Sequence, residues 1–387
     1  MINRESVEII PNIKIAFLDV GQADTIVISC PDTDEAIIVD CVNAKAVRDY
    51  LTREHITLLR GIIITHLHAD HYREVPLFLK NYRQIPGMQE CKVLAFNEVF
   101  NQKNLQQLIQ DEHSDPSKGS SPLIPTSLQD LINWRDQIES KYALLQAQQG
   151  LSEPYQSEGT LIKSLHLLHP HAAQFRRLEA IGLNNTSVVL QIKGPGAKAL
   201  LTGDLEPKGW KWLSANHPDL QSDVLKFPHH GGAWNSDEVD DLLDKVNPSI
   251  VIISVGSEGF ERYIHPHPDV FKAFAKRPHI RVLCTQATNQ CHQLAQVQNE
   301  RNAVIQKFKA EVDRTGHKTF LSKKGCPCAG TVIIELSEKA RLLEPEISFH
   351  RETVIKSHYK VHQCNFEDAT SVNRAAILQI KERTNSA

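Results

Sequence analysis

The most constraining stretch of the chain is Ile62-Ile63-Ile64-Thr65-His66-Leu67-His68-Ala69-Asp70-His71. An apolar run of strand type ends at Thr65, and three imidazoles and a carboxylate follow it directly. On an extended segment side chains alternate with a period of two, so His66 and His68 point to one side and can grip one ion. Asp70 and His71 come where the strand must turn, with no Pro or Gly to hold them away, and can reach a second ion. Two divalent ions about 3.5–4 Å apart can hold an attacking hydroxide and stabilise the charge that develops. A His-rich surface turn is the competing reading. The strand in front of the motif and the matching segments downstream argue against it.

Composition sets the frame for such a site. The chain has 387 residues, 41% hydrophobic and 23% charged, enough for one large α/β domain with an accessory piece. A net charge of -3 creates no global field towards nucleic acid or anionic membrane, although a local basic groove would not show in that sum. The start, Met-Ile-Asn-Arg-Glu-Ser, lacks an apolar leader core, and nowhere do 18 apolar residues run together. The expectation is a soluble, cytoplasmic protein without a membrane partner. In that setting the 8 Cys read as reduced thiols or metal ligands rather than disulfides.

In chain order, residues 13–19, 25–30 and 36–40 read as three strands of a meander, Ala44 to Glu54 as a helix, Val75 to Tyr82 as a short helix and Val93 to Phe96 as a strand. From about 97 to 157 the chain turns rich in Gln, Asn, Ser and Glu. There Leu105, Leu108, Ile109 and later Leu128, Leu131, Ile132, Trp134, Ile138, Tyr142 and Leu145 fit two amphipathic helices around a loop rich in Pro, Gly and Ser. This helical insertion could cap the site, contact a protein partner or decorate the surface. Strand-like runs then return, and each ends in a Gly, Asp or His: Ser164 to Leu168 before His169-Pro170-His171, Ala199 to Thr202 before Gly203-Asp204, Val224 to Phe227 before Pro228-His229-His230-Gly231-Gly232, and Ile250 to Val255 before Gly256. A site at one edge of a sheet requires that form.

His66-x-His68-x-Asp70-His71 resembles the signature of the metallo-β-lactamase-fold hydrolases. The segment Asp19-Val-Gly-Gln-Ala-Asp24, with a strand and IIVDC after it, is similar to the DVGQGD start of the ComEC-type DNA-uptake family, with Ala23 in place of a glycine. The series LHP, NNTSVVL, LLTGDLE, LKFPHHGG and RYIHPHP continues the likeness in the same order, so that it covers about residues 13 to 290 apart from the insertion. It implies an αββα metallo-β-lactamase sandwich, with the hydrolase domain over 1–290 and a small Cys/His-containing extension over 291–387.

The resemblance also implies the site. His66, His68, Asp70, His71, His169, Asp204 and His229 are the expected metal ligands, Asp204 bridging two ions. Asp40 supports the metal loop, and Asp24 is open between a site role and turn chemistry. His166 and His171 compete with His169, and His229 competes with its neighbour. His230 would then contact substrate or protonate the leaving group, and His265 would lie over the site. Asp70 would fix the nucleophile and its metal. Imidazole and carboxylate ligands without thiolate permit Zn, Mn or Fe, and the likeness to phosphodiester-cutting members of the fold implies two Zn or Mn ions. Cys284, Cys291, Cys326 and Cys328 form a candidate structural zinc site against buried free thiols as the alternative.

These features point to a metal-dependent phosphodiesterase, a nuclease cutting DNA or RNA with a metal-bridging hydroxide. A small-molecule hydrolase of lactones, thioesters, phosphocholine-type esters or cyclic nucleotides is the rival, since one fold hosts many chemistries. A non-catalytic binding module with a relic site is the third reading.

Overall fold

The computed structural model describes residues 10–89, 93–96, 143–146, 161, 164–170, 182–232, 234–256, 265–286 and 329–344. The apolar runs of the first half form β1 (Ile13–Phe17), β2 (Ile26–Cys30), β3 (Glu35–Val39), α1 (Ala44–Arg53), β4 (Leu58–Ile63), α2 (Ala69–Tyr72), α3 (Val75–Asn81) and β5 (Val93–Phe96). Next come β6 (Ala143–Gln146), β7 (Leu165–His169), β8 (Val189–Lys193), β9 (Lys198–Leu201), α4 (Pro207–Asn216), β10 (Val224–Lys226), α5 (Ser236–Val246) and β11 (Ile250–Ile253). The described chain ends with α6 (Pro268–Ala275), β12 (Arg281–Cys284), β13 (Val332–Leu336) and β14 (Ala340–Glu344).

Among the described residues these strands make two sheets, ordered β14-β13-β1-β2-β3-β4-β5-β6 and β12-β11-β10-β9-β8-β7. Three buried clusters show the layering. One joins the outer face of the first sheet to α1 and α3 through Val47, Tyr50, Leu51 and Phe78. A second lies between the sheets, where Ile15, Phe17, Ile28 and Ile334 meet Leu190, Ile192, Leu201 and Ile252. The third packs Leu200, Leu225 and Val251 against Trp210 of α4, Leu242 of α5 and Phe274 of α6. The order helix, sheet, sheet, helix is the expected αββα sandwich.

Two expectations change here. Leu145 lies in β6, paired in parallel with β5, so the end of the inserted stretch extends the first sheet instead of forming a helix; the rest of the insertion lies outside the described residues. Arg281–Cys284, near the expected end of the hydrolase domain, is β12 and pairs with β11. The stretch expected to be a separate extension supplies β13, paired residue by residue with β1 from Ile13–Leu336 to Phe17–Val332. Its residues are buried because they sit inside a sheet, and a domain border at 290 would cut through that sheet. No helix among the described residues is long and apolar enough to cross a membrane.

The second sheet positions the chemistry. Strands β9, β10, β11 and β12 run parallel, so the loops after them open on one edge, where sites on such sheets lie. β7 runs in the same direction, being antiparallel to β8, which is antiparallel to β9.

Candidate metal centre

The histidine motif leaves its strand earlier than expected. β4 ends at Ile63, His66 and Leu67 occupy a bend, and His68 is the extended residue that leads into α2. The rings still converge: His66 Nε2 lies 3.0 Å from His68 Nδ1, and the His66 and His71 ring centroids are 4.1 Å apart. Asp40 builds the bend. Its Oδ1 accepts the Thr65 N–H and its Oδ2 the Thr65 hydroxyl, both at 2.7 Å, while His71 Nδ1 donates to Oδ2 at 2.7 Å. That residue sits at φ 58°, a left-handed conformation that Asp tolerates better than most residues.

Across the interface, Asp204 follows Gly203, whose φ is 52° and whose missing side chain leaves space for Ser187 and Thr65: a Cβ there would come within 2.9 Å of Ser187 Cβ. Asp204 Oδ2 lies 3.2 Å from His71 Nε2 and 3.4 Å from His230 Nε2. His230 Nε2 is also 3.8 Å from Oδ2 of the partly exposed Asp70. Asp24, His71, Asp204 and His230, all buried, can each offer one atom within 4.8 Å of the others.

Of the adjacent histidines, then, His230 joins this group. Both have positive φ, 48° and 52°, and this turn sends the neighbouring rings apart. His229 Nδ1 lies 3.7 Å from Glu206 Oε1, and its ring is 5.6 Å from that of His265. A Cβ on Gly232 would strike the His265 ring at 1.8 Å, so glycine is required there. His169, buried at the end of β7, donates from Nδ1 to the Ser187 carbonyl at 2.8 Å and packs edge-on against Trp212. Ser187 ties it to the centre, since the Ser187 hydroxyl accepts the Asp204 N–H at 3.1 Å. His166 is only half buried and pairs across the sheet with Gln191, while His171 lies outside the described residues. Cys284 is buried at the end of β12; Cys291, Cys326 and Cys328 fall outside the described residues.

Two members of the centre were not assigned by sequence. Asp24 was left between roles, and Lys226 was read only as part of a strand. Lys226 is fully buried, ion-pairs with Asp24 Oδ2, and donates to the Gly203 carbonyl at 2.9 Å. An isolated charge in an otherwise apolar buried strand was the available signal, because such a lysine requires a partner.

The electrostatics divide the imidazoles into two kinds. Burial pushes His66 and His169 down, His169 to about 4, so both are neutral at pH 7. Burial acts the same way on His71 and His230, but the Asp204 carboxylate with Asp40 beside His71, and with Asp70 beside His230, outweighs it. His71 is raised well above its usual value and His230 to about 10. Burial would lift Asp204 and Asp70; instead His230 and His71 hold both below the ordinary carboxylate range, helped at Asp204 by Lys226. Lys226, which burial alone would lower, is raised by Asp24 and Asp204.

The donor set fits divalent metal. His71, His169 and His230 each donate from Nδ1 to a carboxylate or a backbone carbonyl, the last to Ser254 at 2.6 Å. Among the described residues their buried Nε2 atoms make no hydrogen bond, those of His71 and His230 facing the Asp204 carboxylate as ion pairs. A scaffold bond at Nδ1 fixes the tautomer and leaves Nε2 as the ligand atom.

Residues 18–90, which include the whole histidine motif, match the profile of the Metallo-beta-lactamase superfamily. The chain has the metallo-beta-lactamase fold. ComE operon protein 3 of Bacillus subtilis (strain 168) is 25% identical over 295 residues, which is 70% of this chain and 32% of that protein. The chain therefore spans about a third of the length of the curated relative it matches. Solved metallo-beta-lactamase-fold relatives include the Bacillus subtilis protein YhfI, 11% identical over 62% of this chain and 85% of that one, with a TM-score of 0.34. The long form of RNase Z from yeast is 12% identical over 67% of this chain and 39% of that one, with a TM-score of 0.37. The short form of human tRNase Z is 15% identical over 62% and 91%, with a TM-score of 0.32.

Proposed function

We propose that the chain is a metal-dependent phosphodiesterase acting on nucleic acid, with two Zn or Mn ions held between its sheets. The observation that carries the metal is the set of buried imidazoles anchored at Nδ1, two of which, His71 from the first sheet and His230 from the second, turn Nε2 towards the Asp204 carboxylate. His66, His68 and His169 would hold one ion, and Asp70, His71 and His230 the other, with Asp204 between them. Divalent ions bound there supply Lewis acidity and lower the pKa of a water.

The protein's own groups do the rest. Asp40 holds the bend that aims His66 and His71. Asp70 is the ligand facing solvent, its side chain 40% exposed, and so meets incoming substrate. His230 replaces His229 as ligand in this reading, and His229 and His265 become groups at the rim. Both are held below their usual range, chiefly by burial, His265 at about 4, so they add hydrogen-bonding nitrogens without adding positive charge. Nucleic acid as substrate is supported by the resemblance to the DNA-uptake family and by the match to ComE operon protein 3. The structural zinc remains part of the proposal: Ala329 N–H donates to the Cys284 carbonyl at 2.9 Å, so Ala329 lies beside Cys284.

The test is incubation of the purified chain with single- and double-stranded DNA and RNA in Mn or Zn, beside the variant Asp70→Ala/His71→Ala. Cleavage of at least one polymer, lost in the variant, is the expected result. Intact polymers under every condition would remove the nuclease reading.

A further inference from the structure

Lys226 stands in the central parallel strand of its sheet, register-paired with Leu201 on one side and Ile252 on the other. Its ammonium meets three groups: Oδ2 of Asp24, the Gly203 carbonyl at 2.9 Å, and Oδ1 of Asp204 at 3.5 Å. The two oxygens of Asp204 are thereby divided. Oδ1 faces the lysine as an ion pair at 3.5 Å without a hydrogen bond, and Oδ2 faces His71 and His230. A carboxylate turns broadly about its last torsion, so its plane is undefined until something holds one oxygen. Here the holder is itself anchored to the residue before Asp204, through Gly203.

Asp24 comes within ligand range of His71, Asp204 and His230, but the lysine engages it. As a metal ligand through Oδ2, Asp24 would have to leave a buried ammonium with only a carbonyl and one shared carboxylate around it. Asp24 is also fixed from the backbone, its N–H donating to the Asp70 carbonyl at 3.2 Å.

We propose that Lys226, held by Asp24 as its counter-ion, is a positioning residue that turns Asp204 so that Oδ2 is the oxygen presented to metal. This rests on the metal reading above. A cation so close to the centre also disfavours a second cation by charge alone, so removing Lys226 by itself would mix two opposite effects. Replacing both partners separates them: Asp24→Asn/Lys226→Met and Asp24→Asn/Lys226→Gln each remove one negative and one positive charge, and only the glutamine keeps a donor.

Titration with Co2+, followed by calorimetry and by the visible spectrum of the bound ion, reads the outcome. The methionine pair binds Co2+ about 10- to 100-fold more weakly than the natural chain, the range for loss of a group that orients a ligand. Its spectrum shifts, and the glutamine pair binds more tightly than the methionine pair. Natural affinity and spectrum in the methionine pair, or equal losses in both pairs, would overturn the assignment. No Co2+ bound by the natural chain would instead sink the metal reading itself. A crystal structure of the natural chain with Mn2+ needs no variant to fold. An ion on Asp204 Oδ2 with Lys226 at Oδ1 agrees with the proposal, and an ion ligated by Asp24 with the lysine displaced refutes it.

Discussion

Each of His71, His169 and His230 commits one nitrogen to the scaffold, and the charge around the other nitrogen decides how it titrates. His230 is raised to about 10 by Asp204 and Asp70, above its ordinary 6.5. In the metal-free chain its contribution to stability is therefore complete below about pH 6.5 and is lost as pH rises through 10. His169, lowered to about 4 by burial, does the reverse: its contribution is complete above about pH 6.5 and is lost as pH falls through 4. A melting-temperature scan from pH 4 to 10 in chelator should peak near neutrality. His230→Asn should flatten the alkaline limb, and an unchanged limb would refute the assignment. The residue scale is also where sequence was least sufficient. His66, His68, Asp70, His71 and Asp204 were marked as candidates by position after an apolar strand and by the family resemblance, but which of His229 and His230 turns inward depends on two consecutive positive φ angles. No side-chain pattern shows that. Lys226 was passed over because its role exists only where Asp24 arrives from a segment some two hundred positions earlier.

At the level of elements, the loop between β1 and β2 does more than turn. The Asp19 carboxylate accepts from Gln286 after β12 at 2.7 Å, Gln22 accepts from the Gly256 N–H after β11 at 3.1 Å, and Asp24 takes Lys226 of β10. One short segment of the first sheet thus ties down three strand ends of the second. The strands themselves were legible because they are apolar runs ending in polar punctuation. Helix α5 could have been found from Asn235 and Glu238, whose reciprocal capping box is present. What escaped was β13's membership of the main sheet, because pairing with β1 spans most of the chain and leaves no local trace. Val332, Ile333, Ile334 and Leu336 are all buried there. At about 1.5–3 kcal/mol each, their loss is comparable to the roughly 5–15 kcal/mol that holds a whole domain together. A chain ending at residue 290 should therefore aggregate or melt without cooperativity. A soluble product with a sharp transition would show the first sheet closing without β13.

At the scale of the whole molecule the two sheets meet as opposite halves of one charge distribution. Asp24, Asp40, Asp70, His66 and His71 come from the first sheet, and Asp204, Lys226, His230 and His169 from the second. The four carboxylates outnumber the ammonium by three, and in the metal-free chain protons on His71 and His230 supply two of the missing positive charges. Metal would supply them more strongly while tying the sheets together, because its ligands sit on both. Binding to the folded chain alone stabilises it by about 4 kcal/mol when the ion is present at 1,000 times its Kd. The stabilisation should also have a location. In hydrogen exchange, adding Mn or Zn to the chelated chain should slow the amides of 64–72 together with those of 202–205 and 227–232. The β13–β14 edge of the first sheet should change little. Protection confined to one sheet's loops would mean that the ion does not span the interface, and the centre would then be two half-sites rather than one.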